Sequence, residues 1–399
     1  MVDAAASFGN AVDGAAMPAG ALEVRVSAAT PAALAAYAQA CADGLFAPAQ
    51  SALWVESWVS EARPDGLIVK AAEDGRTVFA LALEITRVGP FRVARFMGGT
   101  HAIGNFAPAL PGWCGTRSSA GIAEIVAAIR AARPDLDALL LQRLALDLDG
   151  VKNPLLALPH VPSPNIALAV DLRAGFDAVL ERTSAKRKRK KHRAQTRKFE
   201  AAGGFRRIVA DTPEETRRLF DAFLAMKEQR FRVAGVTNVF AEAEIRAFFH
   251  ALFAGSLRDG SQGFTLEGLE VGGKLRAITG TSRCGKRLIC EFGGISDDEL
   301  AAASPGEFLF YENIESACDD GFEIYDFSVG DEPYKRLWCN IEIRQADALV
   351  PLSVKGHGFA AAMRLTSSLK AFIKNSPLVW KIVKALRKRA AGQRESAED

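Results

Sequence analysis

FTLEGLEVGGKLRAITGTSRCGKRLICEFG, residues 264–293, is the stretch that decides the architecture. Phe264–Val271 and Lys274–Ser282 are two strand-length segments joined by Gly272-Gly273, a pair suited to a tight hairpin turn. Arg283-Cys284-Gly285 turns the chain again into Arg287–Gly293. A helix predicted over Pro305–Asp319 ends near Gly321 and feeds the apolar strand Glu323–Phe327. Three meandering strands, a helix and a further strand make a mixed sheet. A doubly wound sheet would need helices between nearly all of its strands.

The same rhythm occurs earlier in the chain. Gly66–Ala72, a turn at Glu73-Asp74-Gly75, Arg76–Val88, Gly89-Pro90 and Phe91–Met97 precede a helix over Ser118–Arg133 and a strand at Ala138–Leu144. Helices are predicted upstream of each set, at Pro31–Ala42 in the first and at Pro213–Phe231 and Ala241–Leu257 in the second. The expected fold class is therefore α/β (α+β mixed sheet) in two tandem domains, 21–165 and 166–350, with residues 1–20 a disordered lead-in and 351–399 a basic helical tail. Asn153–Pro164, with four prolines, reads as a linker or an edge.

Composition narrows the functional classes. Six scattered cysteines without a C-x-x-C pair, and five scattered histidines, support neither a disulfide scaffold nor a metal site. The absence of an apolar run of membrane-spanning length and of a signal-like start leads to the expectation of a cytoplasmic protein. Arg182–Lys198 holds ten Lys/Arg and no acid, which exceeds the whole-chain net charge of +3, so the remainder is net acidic. Residues 348–393 add nine Lys/Arg, again without an acid.

Four elements carry a family resemblance. They are the basic stretch Ser184-Ala185-Lys186-Arg187-Lys188-Arg189 continuing to Gly203-Gly204; Met226-Lys227-Glu228-Gln229-Arg230-Phe231 with Gly235 and Phe240; Ser304-Pro305-Gly306 opening a helix; and Tyr325-Asp326-Phe327 followed by Gly330-Asp331-Glu332-Pro333-Tyr334-Lys335-Arg336 and Trp338. In their order and spacing the chain resembles the GNAT-superfamily N-acyltransferases of the CelD/BcsL type, relatives of the FemABX ligases. The resemblance covers roughly Phe176–Trp338, and Phe46–Leu144 more loosely. It implies tandem GNAT-like domains in which an acyl-CoA, acetyl-CoA or another, is the co-substrate and an amine is the acceptor, possibly on a sugar or an exopolysaccharide precursor. Two alternatives stand beside it: a Fem-like ligase drawing on aminoacyl-tRNA, and a non-catalytic GNAT-fold interaction protein.

The candidate residues follow, each with its structural counterpart. Ser304 and Gly306 open a helix whose free N–H groups suit a pyrophosphate, or Ser304 and Glu307 simply form a capping box. Lys186 and Arg189 of the basic helix would meet the phosphates of the donor, or only solvent. Asp326, in an apolar strand, either orients the acceptor or is ion-paired to Lys335 or Arg336. Tyr334 would protonate the leaving thiolate and Lys335 would stabilise negative charge. Glu291, by analogy with the family's strand carboxylate, would be the base, or it faces solvent. Arg230 would bind an anionic group of the substrate, or complement its helix dipole. His101, in a Gly-rich loop, would face the cleft between the halves and contact substrate there, or be a structural or exposed loop histidine. In the tail, Leu378, Ile382 and Leu386 with Trp380 and flanking lysines describe either a helix on an anionic leaflet, through 360–389 at the inner membrane, or one docked on protein.

Overall fold

The computed structural model describes residues 21–182 and 184–363. In chain order the first half comprises β1 (Glu23–Ala28), α1 (Pro31–Asp43), α2 (Ala52–Ala62), β2 (Asp65–Glu73), β3 (Arg76–Val88), β4 (Phe91–Phe96), α3 (Thr116–Ala132), β5 (Ala138–Ala145), the short hairpin β6 (Asp147–Leu148) and β7 (Val151–Lys152), and β8 (His160–Pro162). The second comprises β9 (Ala167–Asp171), α4 (Gly175–Arg182), α5 (Ala185–Ala201), β10 (Phe205–Val209), α6 (Pro213–Ala234), α7 (Ala243–Arg258), β11 (Phe264–Val271), β12 (Lys274–Cys284), β13 (Arg287–Ile295), α8 (Pro305–Asp319), β14 (Ile324–Val329), α9 (Pro333–Arg336), β15 (Ile341–Ile343) and β16 (Gln345–Pro351). The periodicity located the hairpin strands to within a few residues, and β3, β11 and α8 with the bounds expected. The mixed α/β class stands as expected.

The strands form two seven-stranded sheets, β1-β2-β3-β4-β5-β16-β8 and β10-β11-β12-β13-β14-β9-β15. The order shows that the second half lends a strand to the first sheet. β16, late in the chain, lies in the first sheet between β5 and β8, antiparallel to both. β9, the first strand of the second half, lies in its own sheet between β14 and β15, again antiparallel to both. A boundary at 350 therefore has to be corrected, because Gln345–Pro351 belongs to the first sheet although the sequence pattern places it in the second domain. No hydrophobic pattern reports such a transfer, since a buried strand looks the same whichever sheet receives it. The proline-rich stretch Asn153–Pro164 includes the edge strand β8, a position that tolerates proline.

A shared aromatic layer joins the halves as well. Trp54 of α2 meets Phe248 of α7 edge-on with centroids 4.8 Å apart, and Trp58 meets the same ring at 4.9 Å. Such contacts contribute about 0.5–1.5 kcal/mol each beyond area burial. Trp54 Nε1 donates to the Met97 carbonyl at 3.0 Å and Trp58 Nε1 to Glu84 at 2.9 Å, so both polar edges are satisfied. One hydrophobic core accordingly runs through residues of both halves.

Residues 354–363 are helical. The remaining tail reading, including membrane contact through 360–389, and the reading of residues 1–20 lie outside the described residues. No described helix is long and apolar enough to cross a membrane.

The placement of β16 predicts that fragment 21–165, which lacks an interior strand of its sheet, does not fold alone, and that mixing it with fragment 166–363 restores one species. Circular dichroism and size-exclusion chromatography of the separate and mixed fragments check this; two independently folded monomers would contradict it.

Candidate functional site

In the second sheet β13 and β14 run parallel, but they pair only over Arg287–Ile289 with Ile324–Asp326. Beyond that point β13 continues to Ile295 while β14 turns away through Ser328, at φ 59°, and Gly330, at φ 123°. The divergence leaves a cleft of about 340 Å³. Its floor is Ala277–Thr279 of β12 and Gly293–Ser296 of β13. Its head is the start of α8, Ser304–Glu307, and Phe310, Arg230, Tyr334 and Trp338 complete the wall.

The loop that could cover the cleft is held aside. Arg276, 3% exposed, ion-pairs with Asp298 and with Glu299 (2.9 Å), and its carbonyl accepts from Ser296 N at 2.9 Å. In the first half the matching gap is closed. There β4 and β5 pair only at Val93–Ala138 and Ala94–Leu139, and residues 102–109 fill the space beyond. Asn105 N donates to the Arg143 carbonyl at 2.8 Å, and its own carbonyl accepts from Ala145 N at 3.0 Å and from Asn153 Nδ2 at 2.9 Å. With Phe106 and Ala107 fully buried, the first half retains the architecture and loses the opening.

Gly293 lies on the cleft floor, where no neighbouring side chain demands a glycine. The other glycines of this sheet region are explained by packing: a Cβ at Gly280 would lie 2.4 Å from the Phe292 ring, and one at Gly294 would crowd Phe223 at 3.1 Å. At Gly293 the nearest atoms would be 3.6–3.9 Å away, ordinary contact distance, so the neighbours do not require glycine. A glycine in a strand interior costs stability and often marks a close approach by another molecule. This signal needs the packed structure and could not be read from sequence.

The expected site residues divide into two groups. Ser304, Gly306, Arg230 and Tyr334 converge on the cleft. Ser304 does not cap α8 through its side chain, contrary to the capping-box reading: it sits in the left-handed region at φ 55°, and its carbonyl accepts from Glu307 N and Phe308 N. Pro305 brings no N–H, so the Gly306 N–H is the group left at the head of the cleft. The missing side chain of Gly306 also lets α8 close on Ile295, whose Cγ2 a Cβ would approach to 2.7 Å. The Tyr334 ring stacks on Phe310 with centroids 5.7 Å apart, and burial raises its pKa, so the hydroxyl stays protonated.

Asp326 and Lys335 lie beside the cleft in structural roles. The partner of Asp326 is Arg287, at 3.1 Å, and neither Lys335 nor Arg336, the partners expected. Asp326 also accepts from Ser328 N at 2.7 Å. Burial raises its pKa against the lowering effect of Arg287. Lys335, 4% exposed, donates to the Val329 carbonyl at 3.0 Å and to the Ser328 carbonyl at 3.3 Å, and pairs with Glu332 at 3.0 Å. Arg336 pairs with Asp331 and Glu342. Together these contacts hold the turn that presents Tyr334.

Glu291 is half-buried, at a register shift between β12 and β13, rather than on an open solvent face. It accepts from Ser282 Oγ at 2.6 Å, and burial pushes its pKa up to about 7, with Asp326 adding to the rise. His101 faces the second half, as expected, but does not line the β13–β14 cleft. It packs against Phe240 and Phe249 (5.1 and 5.2 Å) with Nε2 3.1 Å from the Val239 carbonyl, and burial lowers its pKa to about 4. Lys186 is exposed, and Arg189 pairs with Asp177 of α4 at 2.6 Å, so neither contributes to the cleft wall. Among the described residues no three His, Cys, Asp or Glu side chains converge in a metal-binding group.

A mixed sheet splayed between two parallel strands, with a helix N-terminus at the mouth, is a GNAT-type fold. Residues 186–336 match the family described as an acetyltransferase (GNAT) domain. Among solved structures, the chain is similar to FemX, with a TM-score of 0.55 at 11% identity over 81% of this chain and 96% of that one. It is also similar to a conserved protein of unknown function from Bacteroides thetaiotaomicron (TM-score 0.49, 13% identity, 83% and 100% covered) and to a tandem GNAT protein from the clavulanic acid biosynthesis pathway (0.45, 16%, 84% and 99%). At these identities the FemX likeness is one of fold. No curated protein matches the sequence.

The Glu291 proton gives a pH signature. Its folded pKa lies above the unfolded carboxyl value, so the folded chain holds the proton longer, and stability falls as pH rises from about 4.5 to about 7. Melting temperatures of wild type and Glu291→Gln should coincide near pH 4.5 and separate above pH 7, with the variant higher; parallel profiles would contradict the assignment.

Proposed function

We propose that the protein is an N-acyltransferase that moves an acyl group, in the first instance acetyl, from acyl-CoA to an amine within the second-half cleft. The observation that carries this reading is the open cleft between β13 and β14, headed by α8 and walled by Tyr334, beside a first-half counterpart that is filled. The thioester arm would lie along the floor at Gly293, with the carrier's phosphates towards the Gly306 N–H. The acceptor nitrogen attacks the thioester carbonyl and the C–S bond breaks. Tyr334, protonated at any physiological pH, donates its proton to the departing sulfur. Glu291, with a pKa near neutrality and on the strand that forms the floor, takes the proton of the ammonium directly or through water. Arg230, exposed at the cleft wall, binds an anionic group of the acceptor.

The acceptor class we propose is an amine of a sugar or of another envelope or exopolysaccharide precursor, in line with the CelD/BcsL resemblance. A cytoplasmic location, with peripheral contact at the inner membrane through 360–389, is proposed on the sequence alone. The Fem-like alternative, an aminoacyl group delivered by tRNA, draws support from the exposed cations of α5. A non-catalytic role would fit a closed site; at Tyr334 and Gly306 there is instead a cleft of about 340 Å³.

Tyr334→Phe should lower kcat for acetyl-CoA and an amino-sugar acceptor by about 10²-fold or more while leaving donor affinity near that of wild type. Thiol release and calorimetric titration of the donor measure the two quantities. Undiminished turnover would remove Tyr334 from the chemistry.

A further inference from the structure

The second half carries an insertion that the first lacks, α4 and α5 between β9 and β10. For all its charge, α5 is fixed to the body by one face. Lys188, Gln195 and Phe199 form its buried stripe, and Gln195 Nε2 donates to the carbonyls of Ala303 (2.8 Å) and Ser304 (3.1 Å), the two residues before α8. The Lys188 ammonium lies 3.2 Å from the centroid of Trp338, which lines the cleft, and Lys191 pairs with Glu307. α5 therefore borders the cleft at the head of α8.

The opposite face of α5 carries a ladder of charge. Lys186, Lys190, Arg193 and Arg197 recur at the helical period and fall on the side away from the buried stripe, over about 16 Å. All four are exposed, and among the described residues none has an ion-pair partner. The cations of α5 that do find acids, Arg189 with Asp177 and Lys191 with Glu307, lie off this ladder. Like charges one turn apart repel, so the ladder weakens its own helix until an extended anionic surface meets it.

Next to the ladder the surface is apolar. Of the seven large apolar side chains that the described second half exposes, four gather at the mouth of the cleft. Ile295 and Tyr334 line it, Leu337 adjoins Trp338, and Val233 stands one turn beyond Arg230 on α6. They are 43–77% exposed. Scattered apolar residues need no explanation, but a group of them around one opening marks an interaction surface. Ile295 abuts Gly306 at the head of α8, where α5 is attached, so rim and ladder adjoin.

We infer that the outward ladder of α5 and this apolar rim dock the mouth of the cleft on an anionic lipid leaflet. The cations meet the head groups, and the apolar side chains enter the head-group layer beside them. A nucleic-acid partner fits less well. The outward face of α5 has no aromatic side chain on which a base could stack, and an apolar rim has no counterpart on a phosphate backbone. This surface belongs to the second half and not to the segment 360–389 considered above. Docking stands apart from the acyl-transfer reading; taken together with it, the amine acceptor is one held at a membrane surface.

The test is co-sedimentation of the full chain with vesicles of phosphatidylcholine alone, and of phosphatidylcholine with about one-third phosphatidylglycerol, at about 0.1 M salt. Wild type should bind the anionic vesicles and not the neutral ones, and binding should fall as salt rises. The combined variant Lys186→Gln, Lys190→Gln, Arg193→Gln and Arg197→Gln should partition about 10²-fold less, at about fivefold for each cation. Leu337→Ser should lower partitioning by about tenfold. Removing four exposed cations of the first half, Arg25, Arg76, Arg87 and Lys152, should leave it as in wild type. If Leu337→Ser fails to fold by circular dichroism, the ladder variant carries the test. Equal partitioning of the ladder variant and wild type would overturn the surface. An equal loss in the first-half variant would reduce the effect to net charge and overturn it too. Binding of tRNA that the ladder variant loses, with no binding to anionic vesicles, would overturn it in favour of a polynucleotide face. Vesicle binding by a chain that releases no thiol from acetyl-CoA upholds the surface and sinks the acyltransferase reading; thiol release without vesicle binding does the reverse.

Discussion

The placement of β16 in the first sheet is the constraint on which the rest of the structure depends. The first sheet receives an interior strand from the second half, so its hydrogen-bond ladder is complete only when both halves are present. In the second sheet β9 occupies the side of β14 away from β13, and with β15 it braces the strand whose far end turns off to form the cleft. β9 therefore fixes β14 on one side and leaves its parallel neighbour free to diverge on the other. Removing an interior strand would strand many buried N–H and C=O groups, so an ordinary substitution cannot relax this arrangement.

The duplicated architecture has two different outcomes. Both sheets splay after two or three parallel pairs, a backbone property that neither half escapes. In the first half Asn105 and its neighbours pair with β5 where β4 has left, and Gln50 and Asn153 reinforce the plug. In the second half the corresponding loop is drawn back onto β12 by Arg276, Asp298 and Glu299. A cleft and a plug thus arise from the same fold by a change in which strand the loop bonds. Around the opening, Tyr334 is held by the Lys335 turn and α5 is laid over the head of α8.

Much of the fold was legible because hairpin turns and period-two strands are local. Gly272-Gly273 and Glu73-Asp74-Gly75 announced their hairpins, and Pro305 announced a helix start. The placement of β16 beside β5 was not legible, because strand order is set by pairing between segments far apart in the chain. Four of the expected residues, Arg230, Ser304, Gly306 and Tyr334, line the cleft, and they sit at element ends marked by turn residues. Asp326 was rightly expected to need a partner, but Arg287 lies 39 residues away on the neighbouring strand, and only tertiary pairing shows it.

Hydrogen–deuterium exchange of the full chain with and without acetyl-CoA tests the central claim, that the donor occupies the second-half cleft, most directly. The account predicts slowed exchange in residues 277–279, 293–296 and 304–310, with residues 98–109 of the filled first-half gap unchanged. Protection confined to the first half, or none at saturating acetyl-CoA, would contradict it.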